Sequence, residues 1–410
     1  MLAVILGAGE GTRMRPLTYN RPKVMLPVLG TPILEHIVNS CVKARIERVI
    51  IVTGYQEEVI HAHFDEAQLG AQIEYVTQEQ QRGTADAIGQ VKDLVDERFL
   101  VLNGDSLISP LTLKLLAETP RDRAVVVAAK RVKEPTNYGI IQADGDAVLE
   151  IAEKPGKPVS DLANLGIYAF EPEIFEAIAQ IPKSARGEYE ITDAIQLLID
   201  HEYNVRYLDV REEWIDIGRP WDLLYANELL IQTLEPANEG EVEPFATLTG
   251  AVQIGRGSIV RNGAYVMGPA IIGERCEIGP NCCIRPGTCI GNGVKIGNAV
   301  EVKNCIIMDD SRIGHLSYVG DSIIGQRCNF GAGTLVANLR FDEKSINVGG
   351  VHTGRRKLGV IMGDDVHTGI NSMINVGTSI GPGSRVGVGA LAAGVYPPGS
   401  RIERKAATQR

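Results

Sequence analysis

The 410-residue sequence predicts an α/β domain followed by a parallel β-helix, and three observations support this fold class. Apolar runs of strand length alternate with helix-like segments over the first half. A glycine-rich loop directly follows the first of these runs. In the second half an apolar residue recurs at every sixth position, which is the period of a β-helix solenoid.

The first strand, Leu2–Leu6, is a continuous apolar run, as expected for a strand buried on both faces. It leads into the loop Gly7 to Arg13 (GAGEGTR). Glycines let backbone amides approach phosphate oxygens closely, the Arg13 guanidinium can bridge phosphates, and Lys23 adds a point charge. The segment therefore predicts a triphosphate site, and an ordinary strand-to-helix turn is the weaker interpretation.

Two other phosphate-binding motifs fit this loop less well. A dinucleotide fold requires G-x-G-x-x-G with an acidic residue about 20 positions further on. Here Gly7 and Gly9 fit, but Thr12 stands at the third position and the later region reads Pro27-Val-Leu-Gly30. The P-loop pattern G-x-x-x-x-G-K-[ST] is absent from the loop.

Further strands and helices follow in alternation, which is typical of a mostly parallel sheet. The strand candidates are Arg48 to Val52, Arg98 to Leu102 and Ala124 to Ala128. Pro32 to Ala44 reads as a helix, since proline stands at its start and apolar residues recur at spacings of three and four. In such sheets ligands bind beyond the carboxyl ends of strands, where the turn at Asp105 also lies.

The second half begins after an acidic segment that contains proline and glycine, Glu235 to Pro244, which predicts a linker. The six-residue period then runs through Leu248, Ile254, Val260, Val266, Ile272, Ile278, Ile284, Ile290, Ile296 and Val302. The register slips near Met308 and again at Ile324, and such slips predict loops that leave the coil. We therefore expect domains at 1–234 and 247–410, joined by a linker at 235–246.

Composition excludes several function classes. A net charge of −10 and a pI near 5.4 argue against a nucleic-acid surface. No apolar run approaches the roughly 18 residues that span a membrane, and no signal peptide precedes the first strand, so we expect a cytoplasmic protein without membrane partners. Six of the seven cysteines lie between Cys276 and Cys328 at repeat spacing, which favours stacked side chains over a zinc site.

Several motifs carry a resemblance to known families. GAGEGTRMRPLT, QRGTADAI, NGDS, NYG, AEKP, NLGIY, GEYEITD and WIDIG stand in the order found in sugar-1-phosphate nucleotidylyltransferases. The second half resembles the left-handed β-helix acetyltransferases. Together the halves resemble the bifunctional N-acetylglucosamine-1-phosphate uridylyltransferase/glucosamine-1-phosphate acetyltransferase family, particularly its archaeal type. The resemblance implies a Rossmann-like nucleotidyltransferase domain followed by a left-handed parallel β-helix.

In the first domain the resemblance implies a nucleotide site, a sugar-phosphate site and a metal pair. Arg13 and Lys23 would be catalytic, and Asp105 and Asp216 would hold Mg²⁺, which prefers oxygen ligands. The nucleotide would contact Leu6, Gly7, Ala8, Gly9, Gln78, Gly83, Thr84, Gly104 and Asp105. The sugar phosphate would contact Tyr138, Gly139, Glu153, Lys154, Asn164 and Gly166. Uridylyl members often carry asparagine where Asp216 stands, so the choice between UTP and dTTP stays open.

In the solenoid the resemblance implies an acetyltransferase site. His315 would be the base that takes a proton from the amine, because histidine titrates in the required range. Substrate would contact Arg285, Lys303, Tyr318, Asn329 and Lys344. Acetyl-CoA would contact Ala332 and Asn338. The segment Gly349 to Gly359 departs from the bacterial pattern and resembles the archaeal one.

The resemblance therefore implies a two-site enzyme. It would transfer acetyl from acetyl-CoA to glucosamine-1-phosphate or galactosamine-1-phosphate, then uridylyl from UTP to the product, giving UDP-N-acetylglucosamine and pyrophosphate. A homotrimer is the expected assembly. One alternative is a single-activity glucose-1-phosphate thymidylyl- or uridylyltransferase with a structural solenoid. A second alternative is an inactive regulatory subunit.

Overall fold

A computed structural model describes residues 1–67 and 69–404. The chain divides into two compact units. The first unit comprises Met1–Glu10, Pro22–Met25 and Ile33–Asp216. The second comprises Gly11–Arg21, Leu26–Pro32 and the described chain from Ile217 onward. The division predicted at residue 234 stays a prediction, and residue contacts group the helix just before it, Pro220–Leu230, with the second unit.

The first unit is built on one twisted sheet of β-strands. Its strands lie side by side in the order Gln72–Thr77, Arg48–Thr53, Leu2–Leu6, Phe99–Asn103, Leu162–Phe170, Val125–Arg131, Val205–Asp209, Ala147–Ala152 and Ile140–Asp144. The first four are parallel, as the alternating pattern predicts. Beyond them Leu162–Phe170 runs antiparallel to both of its neighbours, so the sheet is mixed. A short ribbon pairs Ser106–Ile108 with Trp214–Asp216.

The helices of this unit are α1 (Ile33–Lys43), α2 (Glu57–Glu66), α3 (Thr84–Gly89), α4 (Pro110–Ala117), α5 (Ile174–Ile178) and α6 (Ile191–Asp200). Apolar side chains of the sheet form a core cluster with those of α3, α5 and α6. The start of α4 shows how sequence sets a boundary. Ser109 caps it by accepting a bond from the Leu111 amide, and Pro110 fills the first helical position.

The second unit is a parallel β-helix with three sheet faces. The first face contains Ala237–Asn238, Val252–Ile254, Ala270–Ile272, Thr288–Ile290, Ile306–Ile307, Ile323–Ile324, Val360–Met362, Thr378–Ile380 and Val395–Tyr396. The second contains Glu241–Val242, Ile259–Val260, Glu277–Ile278, Lys295–Asn298, Arg312–His315, Asn329–Phe330, His367–Thr368, Arg385–Val386 and Arg401–Ile402. The third contains Thr247–Thr249, Tyr265–Met267, Cys283–Arg285, Glu301–Lys303, Tyr318–Gly320, Leu335–Val336, Met373–Ile374 and Leu391–Ala392.

The six-residue period corresponds to the core of this solenoid. Nine of its ten predicted positions, Ile254 among them, are buried in one continuous cluster, and the tenth, Leu248, packs against it. Cysteines of the repeat join the same cluster, and burial raises the pKa of Cys305 to about 12. Parallel strands on every face agree with the predicted left-handed β-helix. The predicted linker 235–246 carries the first coil strands, Ala237–Asn238 and Glu241–Val242.

The register slips correspond to changes of coil length. Cys283 pairs with Glu301, whereas Cys289 pairs with Ile306, so the coil becomes shorter by a single position between these two pairs. At the second slip Ile323 pairs with Ile361, which is far along the chain because residues 337–359 leave the coil. We call this segment the excursion. It carries the hairpin Asn347–Val348 with Val351–His352.

The second unit also contains α7 (Pro220–Leu230) and the ribbon of Pro27–Val28 with Thr31–Pro32. Short 3₁₀ turns elsewhere in the chain are Thr12–Met14, Lys23–Met25, Lys92–Leu94, Pro135–Asn137 and Ile231–Thr233. Within residues 1–67 and 69–404, no helix has the length and apolar character needed to cross a membrane.

Candidate functional site

The carboxyl end of the first strand lies beside two turns of the first unit. The Gly7 amide donates to the Val52 carbonyl at 2.8 Å, and the Gly104 amide donates to the Leu6 carbonyl at 3.0 Å. A Cβ on Gly104 would lie 2.5 Å from the Leu6 oxygen, so only glycine allows this approach. The tight turn places Asp105 directly beyond the sheet, as the sequence predicts.

Three charged residues lie together at this edge. Lys23 is almost fully buried, and its Nζ lies 2.5 Å from Asp105 Oδ2. Asp216 ends the strand Trp214–Asp216, and it is the register partner of Ser106, the residue after Asp105. Residues that are distant in sequence thus form one polar cluster.

This pair of carboxylates fits the predicted divalent ion by its chemistry. Mg²⁺ is commonly bound by one or two carboxylates together with substrate phosphates and water. The described ranges contain no group of three or more His, Cys, Asp or Glu side chains suited to a metal. An ion here would therefore take its remaining ligands from bound phosphate and water.

The rest of the predicted phosphate loop is partly exposed. Gly9 is exposed, and a Cβ there would meet nothing within 4 Å. The Ala8 carbonyl accepts a hydrogen bond of 2.8 Å from Gln81 Nε2, which holds the loop from one side. Arg13 lies on the short 3₁₀ turn Thr12–Met14, and its side chain is exposed.

The predicted base-binding residues surround the start of α3. Gln78 is buried, and its Nε2 donates to Asp86 Oδ2 at 2.7 Å and to the Gly83 carbonyl at 3.3 Å. Gly83 has φ of 121°, a backbone conformation that favours glycine. Thr84 Oγ1 accepts from the Ile191 amide at 3.1 Å. Gln78 Nε2 is thus held by groups of the protein itself.

The predicted sugar-phosphate residues lie on Leu162–Phe170 or at the ends of Ile140–Asp144 and Ala147–Ala152. The Asn164 amide donates to the Gly139 carbonyl at 2.8 Å, and Asn164 Oδ1 accepts from the Gly166 amide at 3.0 Å. A Cβ on Gly166 would lie 2.0 Å from Asn103 Nδ2, so this position also requires glycine. The NLGIY motif therefore fixes an amide side chain beside the turn at Gly139.

Charged and aromatic groups border these strands. Glu153 lies 3.4 Å from Lys154 Nζ and 3.4 Å from an Arg186 nitrogen. The Tyr138 ring lies 5.4 Å from that of Trp214, edge to face. Together with the preceding contacts, these place all six predicted sugar-phosphate residues on the first unit.

A ladder of polar side chains runs along the third face of the solenoid. Arg285 is the register partner of Lys303, and Glu301 is the partner of Tyr318. Arg285 Nη1 donates to Glu301 Oε1 at 2.9 Å. Arg285 and Lys303 are thus stacked one coil apart, and Tyr318 lies on the next coil in the neighbouring column of Glu301.

A carboxylate that the sequence analysis did not select joins this ladder. Asp321 is buried, and its Oδ2 accepts from Asn338 Nδ2 at 2.5 Å and lies 3.5 Å from Lys303 Nζ. Its Oδ1 accepts from Asn304 Nδ2 at 2.9 Å. Asn338 Nδ2 also donates to Tyr318 Oη at 3.1 Å. We call Lys303, Asn304, Tyr318, Asp321 and Asn338 the Asp321 network.

The remaining predicted acetyltransferase residues lie elsewhere on the second unit. His315 and Asn329 belong to strands of the second face, where both are exposed. Ala332 lies in the turn that follows Asn329. Lys344 is exposed on the excursion, where its amide donates to Asp342. The structure thus joins Tyr318 and Asn338 by a hydrogen bond and connects Lys303 to Asn338 through Asp321, whereas His315, Asn329, Ala332 and Lys344 lie elsewhere on the unit.

A cavity of about 440 Å³ adjoins the Asp321 network. It is lined by Glu228, Asp321, Arg355, Arg356 and Lys357. Glu228 of α7 forms a two-point ion pair with Arg355, and its Oε1 accepts from Asn304 Nδ2 at 2.6 Å. The excursion is thereby connected to α7 and to the network.

One sequence signal could have found the overlooked residues. Asn304 and Asp321 both have left-handed backbone conformations, with φ of 50° and 48°. They stand one coil apart, each directly after a third-face strand. Asn and Asp tolerate this conformation better than other non-glycine residues, so their recurrence at the coil period marks a turn. Glu228 and Arg355 have no comparable signal.

Comparison with protein families covers both units. The nucleotidyl transferase family matches residues 2–233, and the GMPPB C-terminal domain family matches residues 266–386.

Curated relatives span almost the whole chain. A bifunctional protein GlmU of Methanocaldococcus jannaschii is 41% identical over 396 residues, covering 95% of this chain and 94% of the relative. A bifunctional sugar-1-phosphate nucleotidylyltransferase/acetyltransferase of Sulfurisphaera tokodaii is 39% identical over 399 residues, covering 95% of this chain and 97% of the relative. A glucose-1-phosphate thymidylyltransferase of Streptomyces griseus is 36% identical over 277 residues, covering 67% of this chain and 78% of the relative.

A solved structure matches part of the fold. The crystal structure of a UDP-glucose pyrophosphorylase complexed with UDP-glucose covers 56% of this chain and 98% of its own, with a TM-score of 0.53 and 26% identity.

Proposed function

This chain belongs to the nucleotidyl transferase family and, by a match that covers 95% of its length, to the bifunctional GlmU-type proteins, and we propose that it catalyses two steps of nucleotide-sugar synthesis. One step transfers acetyl from acetyl-CoA to glucosamine-1-phosphate. The other transfers uridylyl from UTP to N-acetylglucosamine-1-phosphate, giving UDP-N-acetylglucosamine and pyrophosphate. The observation that carries the proposal is similarity to bifunctional relatives across both units rather than across one.

The nucleotidyl step needs positioning more than proton transfer. A sugar phosphate is already largely ionised near neutral pH, so its oxygen attacks the α-phosphorus without a general base. Lys23, and Arg13 of the loop, neutralise the charge that develops on the phosphates. Asp105 and Asp216 would hold Mg²⁺, which supplies further charge neutralisation when it is bound.

The acetyl step needs a base because the amine of the sugar is protonated in water. His315 takes that proton, and the free amine attacks the thioester carbonyl while the coenzyme A thiolate leaves. Arg285 and Lys303 hold the phosphate of the sugar, and Tyr318, Asn329 and Lys344 contact the substrate. Ala332 and Asn338 are the acetyl-CoA contacts in this proposal.

One experiment tests the two activities together. The purified chain is incubated with acetyl-CoA and glucosamine-1-phosphate, and free thiol is measured; UTP and Mg²⁺ are then added, and pyrophosphate is measured. Both products are expected in sequence. Pyrophosphate from glucose-1-phosphate without any thiol release would instead favour the single-activity alternative, and neither product from any amino-sugar or sugar phosphate would favour the inactive subunit.

The nucleotide base has a second candidate. An aspartate at the position of Asp216 is more typical of the thymidylyl members of the family than of the uridylyl members. The Streptomyces griseus relative is named a thymidylyltransferase. Comparison of UTP and dTTP under the same conditions, by kcat/KM, decides between them.

A homotrimer is the assembly we propose. Leu335, Met373 and Leu391 are successive register partners on the third face, and they are 51%, 45% and 56% exposed. A continuous apolar ladder of this kind is typical of a contact surface, and a second copy of this chain is its proposed partner. Sedimentation equilibrium should give about three times the chain mass of 44.3 kDa. An active monomer would contradict the trimer.

A further inference from the structure

The Asp321 network contains a buried carboxylate for which the proposed chemistry has no step. The side chain of Asp321 is only 4% exposed, at the wall of the cavity described above. Both of its oxygens accept from side chains of the network. A buried carboxylate is costly unless its hydrogen-bonding capacity is used, so this arrangement holds its neighbours in defined orientations.

The chemistry of a carboxylate fixes the direction of each hydrogen bond. An ionised carboxylate beside Lys303 Nζ can only accept, so Asn338 must present Nδ2, its donor end, to Asp321. The second hydrogen of the same Nδ2 reaches Tyr318 Oη. The tyrosine oxygen therefore accepts from Asn338, and its own hydrogen points elsewhere.

We propose that Asp321 is a positioning residue that acts through Asn338 to make the Tyr318 hydroxyl a hydrogen-bond donor toward the amino-sugar substrate. This inference rests on the proposed acetyl transfer for its catalytic meaning. The ligand group it would meet is an oxygen acceptor, such as a sugar hydroxyl, a phosphate oxygen or the thioester carbonyl. Burial raises the pKa of Tyr318, which agrees with a hydroxyl that keeps its proton.

A purely conformational role for Asp321 makes a different prediction. Its φ of 48° lies in the left-handed region, where asparagine is at least as acceptable as aspartate. The preceding coil has Asn304 at the same kind of turn, with φ of 50°. Asp321→Asn should therefore preserve the turn, while its amide lets Asn338 adopt either orientation.

The test compares Asp321→Asn with Asp310→Asn as the matched control. Asp310 has φ of 60° at a turn of the same solenoid, but it is outside the network. Asp321→Asn should lower kcat/KM for acetyl transfer about 10- to 100-fold, the scale observed when a group that orients a functional side chain is lost. Nucleotidyl transfer should stay unchanged in both variants.

A double-mutant cycle distinguishes positioning from general destabilisation. In the Tyr318→Phe background, Asp321→Asn should cause no further loss, because the hydroxyl that it orients is already absent. Additive losses in the double variant would overturn the proposal. Acetyl transfer by Asp321→Asn within about twofold of the unsubstituted protein would overturn it as well.

A spectroscopic readout separates this inference from the proposed function. With tyrosine labelled at ¹³Cζ, the Tyr318 resonance is assigned by its loss in Tyr318→Phe. It should shift in Asp321→Asn and not in Asp310→Asn. If the Tyr318 chemical shift is unchanged in Asp321→Asn, the inference is overturned even when the protein transfers acetyl. If the unsubstituted protein does not transfer acetyl, the proposed function is refuted, and the Tyr318 chemical shift still decides the inference. If Asp321→Asn does not fold, Asn338→Leu should produce the shift, and no change there overturns the proposal.

Discussion

The two units assemble their charged clusters by different means. At the edge of the sheet, Lys23, Asp105 and Asp216 come from three distant parts of the chain. On the solenoid, Arg285 and Lys303 stack because one coil separates them. A repeat thus converts sequence spacing into spatial proximity, whereas a sheet edge depends on the whole topology. The two sites should therefore respond independently to substitution.

The largest expected effect lies on the solenoid, at the proposed base. His315→Ala should lower kcat for acetyl transfer by roughly 10²–10⁴-fold, the usual contribution of a general base. Nucleotidyl transfer should not change.

The control is His367→Ala, which removes an exposed histidine of the same face. A raised KM in His315→Ala with kcat preserved would assign the histidine to binding instead.

The corresponding change in the first unit is Asp105→Ala. It removes one of the two candidate metal ligands and the partner of Lys23, so pyrophosphate release should fall by about 10²–10³-fold, as when one preorganised electrostatic group is lost. Acetyl transfer should stay nearly intact. Asp122→Ala, at an exposed position of the same unit, is the control. Comparable loss of both activities in a folded Asp105→Ala protein would contradict two independent sites.

Sequence alone predicted the solenoid more completely than the sheet. Ile296 and the other periodic positions are buried because a β-helix repeats one environment at a fixed spacing. In the sheet, three of the four neighbouring parallel strands were predicted, but the parallel strand Gln72–Thr77 and the antiparallel strand Leu162–Phe170 were not. A continuous apolar run reports burial on both faces and carries no signal for strand direction.

In the candidate sites too, the sequence predicted some of the residues and not the contacts between distant parts of the chain. Motif resemblance selected Lys303, Tyr318 and Asn338, which the structure connects through Asp321. It did not select Asp321, because an aspartate at a turn reads as a turn residue. It also could not reveal the Glu228–Arg355 pair, since the partners are far apart in sequence. Contacts between a repeat and a segment outside it leave no periodic trace.

A third prediction concerns stability within the second unit. Asp364 forms a buried ion pair with Arg21, at 2.5 Å between Oδ2 and Nη2. Asp364→Ala leaves that guanidinium buried without its carboxylate, so the free energy of unfolding should fall by about 3–5 kcal/mol.

The adjacent Asp365 pairs with the half-exposed Arg327 and is the control. Because its backbone is left-handed, with φ of 58°, the control substitution is Asp365→Asn, which should cost at most about 1 kcal/mol. Urea unfolding followed by circular dichroism measures both, and equal losses would show that burial does not distinguish the two pairs.

The smallest expected effect is on the pH dependence of stability, and it concerns two partly exposed carboxylates, one on each unit. A hydrogen bond from Arg48 holds the pKa of Glu74 below its ordinary value, and hydrogen bonds from Arg261 and Lys295 do the same for Glu277. A carboxyl whose pKa is lower in the folded chain stabilises the fold above its unfolded pKa. That contribution is lost as pH falls from about 5 through the folded-state value. Solvent screening keeps each contribution below about 1 kcal/mol.

Glu277 has two cationic partners, at 2.8 Å and 3.2 Å, whereas Glu74 has one at 2.8 Å. Glu277→Gln should therefore remove more of the stability gained between pH 3.5 and pH 7 than Glu74→Gln does. The unfolding free energy of each variant at both pH values measures this, and salt near 1 M should shrink both differences because exposed charges are screened. A larger loss of stability in Glu74→Gln would mean that the second cationic partner of Glu277 on the solenoid adds no stability beyond that of a single cross-strand ion pair.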